Sequence, residues 1–384
     1  MRKRIDEISM MKGFGILFVI MVHMMSISGN KTHLLTSIFA PVMLYFYLIS
    51  GYTTRISETG PLHQVVKRAK RLLIPYYQYS AVMLAVYFVI YVIAGGRSLA
   101  WYGDGAMGIL FQLQSVHLFD PASAGVHPMF YGALIGWFVF QMMVSDLIFI
   151  PLVYFFEGKK RIYKFITAVA LLAAGAVLYI LNLQGLNGEY FPPVCKGFVL
   201  PNIPGVAGLL LLGNLAASVS LLDFDLYTKK QKLLGLLTIF VIALFVYTDD
   251  QLYDFPIGKW GAFGPVSYFL APIYSIALMI FLGIILNQVK RISPVKRFLS
   301  FYGDRSMDYL TIHFFSGYLI AYIGGFWYDF LTQSIPEDNP AINRLHFAIL
   351  IIAILPLTYV QVRLNDLYRL KRKSHKSQSL NKEP

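Results

Sequence analysis

Apolar residues in this chain fall in windows of about 18–25 positions, the length that crosses a hydrocarbon core as α-helix. The windows lie near 11–28, 36–52, 72–94, 129–155, 163–183, 202–221, 231–248, 264–288, 307–326 and 344–362, with polar and basic residues collected between them. The pattern predicts ten transmembrane helices and an all-α, polytopic membrane bundle. The first window follows a basic "MRKR" lead-in, as a signal peptide would, but no small-residue cleavage site comes after it. An uncleaved first span is the better reading.

Charge orients these windows, because Lys and Arg in short loops stay on the cytoplasmic side. With the N-terminus inside, 28 of the 33 lysines and arginines fall in cytoplasmic segments, leaving Lys31, Arg97, Lys196, Lys259 and Arg344 outside. Every alternation agrees, so both termini are expected in the cytoplasm. The net charge of +13 is then topology and attraction to anionic lipid, and no nucleic-acid partner is expected. Composition agrees: 57% of residues are hydrophobic and 14% charged, outside the range of soluble domains. A single cysteine, Cys195, excludes an internal disulfide and a multi-cysteine metal site. Residues 1–362 read as one membrane domain, and 363–384 as a basic, disordered cytoplasmic tail.

Ionisable side chains within a span cost at least a few kcal/mol, so each needs a reason. Lys12, His23, Asp146 and His313 qualify. Lys12, near the cytoplasmic end, can snorkel to the headgroups. His23 lies eleven residues further along, about 16 Å deeper and about three full turns on, so both side chains leave one helix face. An imidazole there serves either as a hydrogen bond between helices or as a general acid or base. Asp146 suits an ion pair with a lysine or arginine of another span, or a proton relay. His313 has Tyr309 one turn below it and reads, on spacing alone, as a satisfied bundle histidine.

Two further elements offer polar groups at helix ends. The second span closes on Ser50, Gly51 and Tyr52, with a glycine that permits close backbone approach. Arg68 and Arg71, three residues apart, point to one side of the helix entering the third span. Arginine forks bind phosphate oxygens, though a basic cluster here also serves as ordinary membrane anchoring. No P-loop, dinucleotide fingerprint, zinc spacing or nucleophile elbow is present.

Taken in order, several stretches resemble the acyltransferase-3 family of integral membrane acyltransferases. They are "KRIDEISMMKGFGILFVIMVH", "FYLISGY", "KRAKRLLIPYY", "GWFVFQMMVSD" and "LSFYGDRSMDYLTIHFF". The first looks most like members that O-acetylate cell-surface sugars. The resemblance implies acyl transfer from a cytoplasmic thioester, usually acetyl-CoA, to a hydroxyl of an extracytoplasmic or lipid-linked glycan. It implies no permanently bound cofactor and a multi-pass protein of a cell membrane, most naturally the bacterial cytoplasmic membrane. Lys12 and His23 fall on the family's essential pair, Arg68 and Arg71 on its Arg-x-x-Arg element, and His313 on a recurrent late histidine. Ser50, Gly51, Tyr52, Tyr309 and His313 become candidates for lining the site.

One departure from the pattern lies in span two. Many members carry His-Met-Pro before the aromatic run of span two, whereas "FAPVMLYFYLISGY" has no histidine. A mechanism needing a second histidine at that point is in doubt here. His23 is expected to act as general base or as transient acyl carrier, and Lys12 to steer the donor. A proton-coupled transporter using Asp146, His23 and His313 is the alternative, though no internal repeat supports it.

Overall fold

The computed structural model describes residues 6–27, 42–111, 136–183, 202–247, 266–310, 312–313 and 340–380, and every regular element among them is helical. The order is α1 (Asp6–Ile27), α2 (Val42–Thr53), α3 (Pro61–Tyr87, continuing as a π-helix over Phe88–Ala94), α4 (Leu99–Phe111), α5 (Gly136–Phe155) and α6 (Arg161–Leu183). There follow α7 (Asn202–Ser218), α8 (Lys229–Leu236), α9 (Thr238–Tyr247), α10 (Ser267–Val289), α11 (Ser293–Asp304) and α12 (Pro340–Leu380). A further helical stretch carries Tyr309 and, at 312–313, His313.

Among the described residues, five helices are long and apolar enough to cross a membrane: Asp6–Met25, Pro61–Ala94, Phe138–Phe155, Arg161–Leu181 and Tyr268–Val289. Asn202–Ser218 and Phe347–Arg363 are apolar but shorter. Windows 36–52, 129–155 and 307–326 lie partly outside the described residues, as does most of the stretch after α4. The window at 231–248 is not one helix. Its first part, α8, starts early on a capping box in which Thr228 and Gln231 satisfy each other's backbone N–H groups. A turn at Leu237 then separates α8 from α9.

Helix faces divide as a lipid-embedded bundle requires. On α6, Ala168, Leu172, Ala176 and Tyr179 are buried at three- and four-residue spacing, while Phe165, Ile166, Val177 and Ile180 are exposed. Such an apolar outer face suits lipid and is costly in water.

Lipid tails are as apolar as leucine, so helix association in a membrane rests on close packing. Two contacts take this to the limit. Between α1 and α11, a Cβ added at Gly13 would lie 1.8 Å from the Leu299 carbonyl oxygen, and one at Gly303 would lie 1.7 Å from that of Ser9. Between α2 and α7, a Cβ at Gly51 would lie 1.9 Å from the Leu210 carbonyl oxygen, and one at Gly213 would lie 2.0 Å from that of Leu48. Only glycine fits at any of the four.

A polar clamp ties the start of α1 to the end of α10. Lys290 Nζ donates to Glu7 Oε1 at 2.7 Å and to Asp225 Oδ1 at 2.6 Å. Asn287 Nδ2 donates to Glu7 Oε1 at 2.6 Å, and Lys232 Nζ donates to Asn287 Oδ1 at 2.9 Å. Burial opposes the charge on Lys290, but its bonds to Asp225 and Glu7 outweigh that and hold its pKa above the ordinary lysine value.

Candidate functional site

Lys12 is half-buried on α1, one residue from the glycine that seats α1 against α11. It makes no ion pair among the described residues, and the charges of Arg71, Asp304 and Arg68 act on it. It lines a cavity of about 860 Å³ with Tyr52, Arg55, Glu157, Lys164 and Asn214. That volume is in the range of small-molecule and cofactor sites. Lys164 Nζ donates to Asn214 Oδ1 at 3.0 Å, and Asn214 Nδ2 donates to the Thr54 carbonyl at 3.3 Å, which fixes one wall. Three cations from α1, α6 and the turn after α2 thus share the cavity with one carboxylate. Such a balance favours an anionic ligand.

Arg68 is not among the residues lining that cavity. Its buried guanidinium donates through Nε to Asp146 Oδ2 at 2.8 Å, through Nη2 to Ser50 Oγ at 3.0 Å and through Nη1 to Thr54 Oγ1 at 2.5 Å. The carboxylate of span four therefore has an arginine of another span as its partner, one of the two roles open to it from sequence. Thr54 carries the effect onward, since its side chain is held by Arg68 while its backbone carbonyl receives Asn214. Arg68 and Asp146 brace the cavity wall. Arg71 is exposed and makes no hydrogen bond among the described residues.

Ser50 is spent on Arg68 and on a 3.7 Å contact to Met142 Sδ. Gly51 serves the α2–α7 contact, and Tyr52 faces the cavity. Lys164, Arg55, Glu157 and Asn214 escaped the sequence reading. One signal existed for Lys164, a lysine just inside an apolar window.

Further along α1, His23 Nδ1 lies 2.8 Å from His313 Nε2, across 290 positions of sequence. The ring planes are within 8° and the centroids 5.1 Å apart. That centroid separation is the N···N distance plus one ring radius at each end, so the rings meet edge to edge in a shared plane. They are joined by an in-line hydrogen bond, not stacked face to face. His313 Nδ1 in turn lies 2.7 Å from the Tyr309 carbonyl oxygen. His313 and Tyr309 are fully buried, while His23 keeps accessible surface. A second histidine thus lies beside His23, and it comes from the far end of the chain and not from span two.

Their meeting follows from the α1–α11 contact. Gly303 and Gly13 bring the two backbones together, and Ser9 Oγ donates to Asp304 Oδ1 at 2.8 Å. The chain turns at Arg305 and carries Tyr309 and His313 back toward α1. Tyr309 is steadied by its ring, stacked on Tyr302 at a centroid distance of 4.4 Å. Chemically, the arrangement offers a paired imidazole on the same helix face as a cationic cavity. No group of His, Cys, Asp and Glu among the described residues is placed to hold a metal ion.

A family model described as an acyltransferase domain matches residues 5–363. No curated protein and no solved structure matches the chain.

Proposed function

The chain belongs to the acyltransferase-3 family of membrane acyltransferases, and from that premise we propose that it transfers an acetyl or other short acyl group from cytoplasmic acyl-CoA to a hydroxyl of an extracytoplasmic or lipid-linked glycan. The observation that carries this reading is Lys12, a cation with no ion pair among the described residues, set in a cavity on the helix face that also bears His23. The nucleotide phosphates of the donor rest among Lys12, Arg55 and Lys164 at the cytoplasmic end. From Lys12 to His23 is about 16 Å along the helix, a span that an extended pantetheine arm can follow. Arg68 and Asp146 support the donor seat through Thr54 without touching the phosphates.

His23 acts as general base. It takes the proton of the acceptor hydroxyl as the oxygen attacks the thioester carbonyl, and the resulting imidazolium returns that proton to the departing thiolate of CoA. The acyl-histidine route uses the same nitrogen as nucleophile. A helix bundle suits the task because donor and acceptor lie on opposite sides of the membrane. The transporter alternative is disfavoured by the Arg68–Asp146 pair, since a relay carboxylate has to be able to release its partner.

The test uses the full chain in nanodiscs with radiolabelled acetyl-CoA and cell-surface glycan fractions. Wild-type protein should move label to glycan, and His23→Ala should abolish transfer while retaining donor affinity. Full transfer by that variant would refute the mechanism.

A further inference from the structure

We propose that His313 is a positioning residue that fixes the tautomer of His23, so that the reactive lone pair sits on Nε2. The inference rests on the reading of His23 as the base or nucleophile, and it follows from the direction of two hydrogen bonds. A carbonyl oxygen can only accept, so the 2.7 Å contact to Tyr309 places a proton on His313 Nδ1. Neutral imidazole carries one N–H, which leaves His313 Nε2 as an acceptor. The 2.8 Å contact to His23 Nδ1 then requires the proton of His23 on Nδ1. Its Nε2 is therefore the unprotonated nitrogen, facing away from His313.

The near-coplanar rings fit this direction, because an imidazole lone pair lies in the ring plane. In water, imidazole side chains favour the opposite tautomer, with the proton on Nε2. The backbone carbonyl of Tyr309 thus reverses an intrinsic preference through one intervening ring. A hydrogen-bonded partner setting the tautomer of a working histidine is a general device. Here the partner is a second neutral imidazole, which orients His23 without placing a fixed negative charge in the membrane.

Packing glue alone would tolerate either direction of the His23–His313 bond, and this separates the two roles. Glutamine at 313 extends its amide to about the place of Nε2 and can turn its oxygen toward His23, whereas asparagine reaches only to about the place of Nδ1. Both are polar and of similar size. Full-length protein labelled with ¹⁵N-histidine, in nanodiscs, is compared as wild type, H313Q and H313N, with the His23 signals assigned by their loss in H23Q. In wild type the His23 Nδ1 should resonate as protonated and Nε2 as unprotonated. H313Q should keep that signature and transfer within about tenfold of wild type. H313N should shift it toward the Nε2-protonated form and lose transfer by about 10²-fold or more, at unchanged donor KM.

A proton on His23 Nε2 in wild type overturns the inference, as does H313N with wild-type spectrum and rate. Should the spectra behave as stated while no acyl transfer occurs in any form, the positioning stands and the acyltransfer reading fails. If H313N does not fold, the wild-type tautomer and the H313Q spectrum still decide the matter.

Discussion

Replacing Arg68 separates a structural arginine from one that binds the donor. Its guanidinium is almost enclosed, with 9% of the side chain accessible against 2% for Asp146, and the two charges meet at 2.8 Å. Removing one member of such a pair leaves the other charge buried without compensation, at a cost of about 3–5 kcal/mol. The lost bonds to Ser50 and Thr54 add ~1 kcal/mol each. Arg68→Ala should therefore lower unfolding stability by about 5–7 kcal/mol, whereas exposed Arg71→Ala should change it by less than about 0.5 kcal/mol. The double variant Arg68→Met with Asp146→Leu should recover most of the loss, because well-packed apolar residues often replace a buried pair at little cost. Stability is followed by urea unfolding in nanodiscs with tryptophan fluorescence, and donor affinity by calorimetry on the folded fraction. If Arg68→Ala unfolds with the wild type while donor affinity falls tenfold or more, the bracing role is wrong and Arg68 touches the phosphates.

Other expectations follow from the same geometry. Lys164→Ala should raise KM for acetyl-CoA by about tenfold, or ~1.4 kcal/mol, yet leave KM for acetyl-pantetheine unchanged, since only the former carries the nucleotide phosphates. Equal effects on both donors would remove Lys164 from the phosphate seat. Gly303→Ala places a Cβ against the Ser9 carbonyl and should destabilise by about 1–3 kcal/mol, with a further loss of transfer in the surviving protein as His313 moves from His23. Transfer unchanged in that variant would show that the α1–α11 contact does not set the histidine pair. Lys290 has a folded pKa raised above 10.5, so its contribution is full below that pH and is lost as pH rises through the higher folded value. The stability gap between wild type and Lys290→Met should therefore be constant at neutral pH and close under strongly alkaline conditions. A gap that widens with pH would contradict the clamp.

Much of the bundle was legible because membrane helices announce themselves by length and apolarity, and the windows at 11–28, 163–183 and 264–288 correspond to α1, α6 and α10. The turn at Leu237 was harder. It sits in a mostly apolar run in which only Gly235 and Thr238 interrupt the pattern, and only the Thr228–Gln231 capping box hints that a short helix begins earlier. Asp146 could be read as wanting a cation, but nothing local distinguishes Arg68 from Arg71, because three residues of helix separate a buried fork from an exposed one. The histidine pair was invisible for the same reason. His23 and His313 each follow a local pattern, and their contact depends on a glycine contact between helices far apart in sequence. The cavity escaped because its cations come one each from three elements, and no single stretch is rich in them.

If the histidine pair does the work proposed for it, the 290 positions between His23 and His313 also set when the enzyme can first act. At synthesis rates of about 5–20 residues per second, His23 waits roughly 15–60 s after its own emergence for its partner to be made. During that interval α1 is in the membrane without its second imidazole. On the proposed role of His313, a chain stopped short of residue 313 would keep Lys12 and His23 but lack the ring that aims the histidine, so its chemistry would wait until translation is nearly finished.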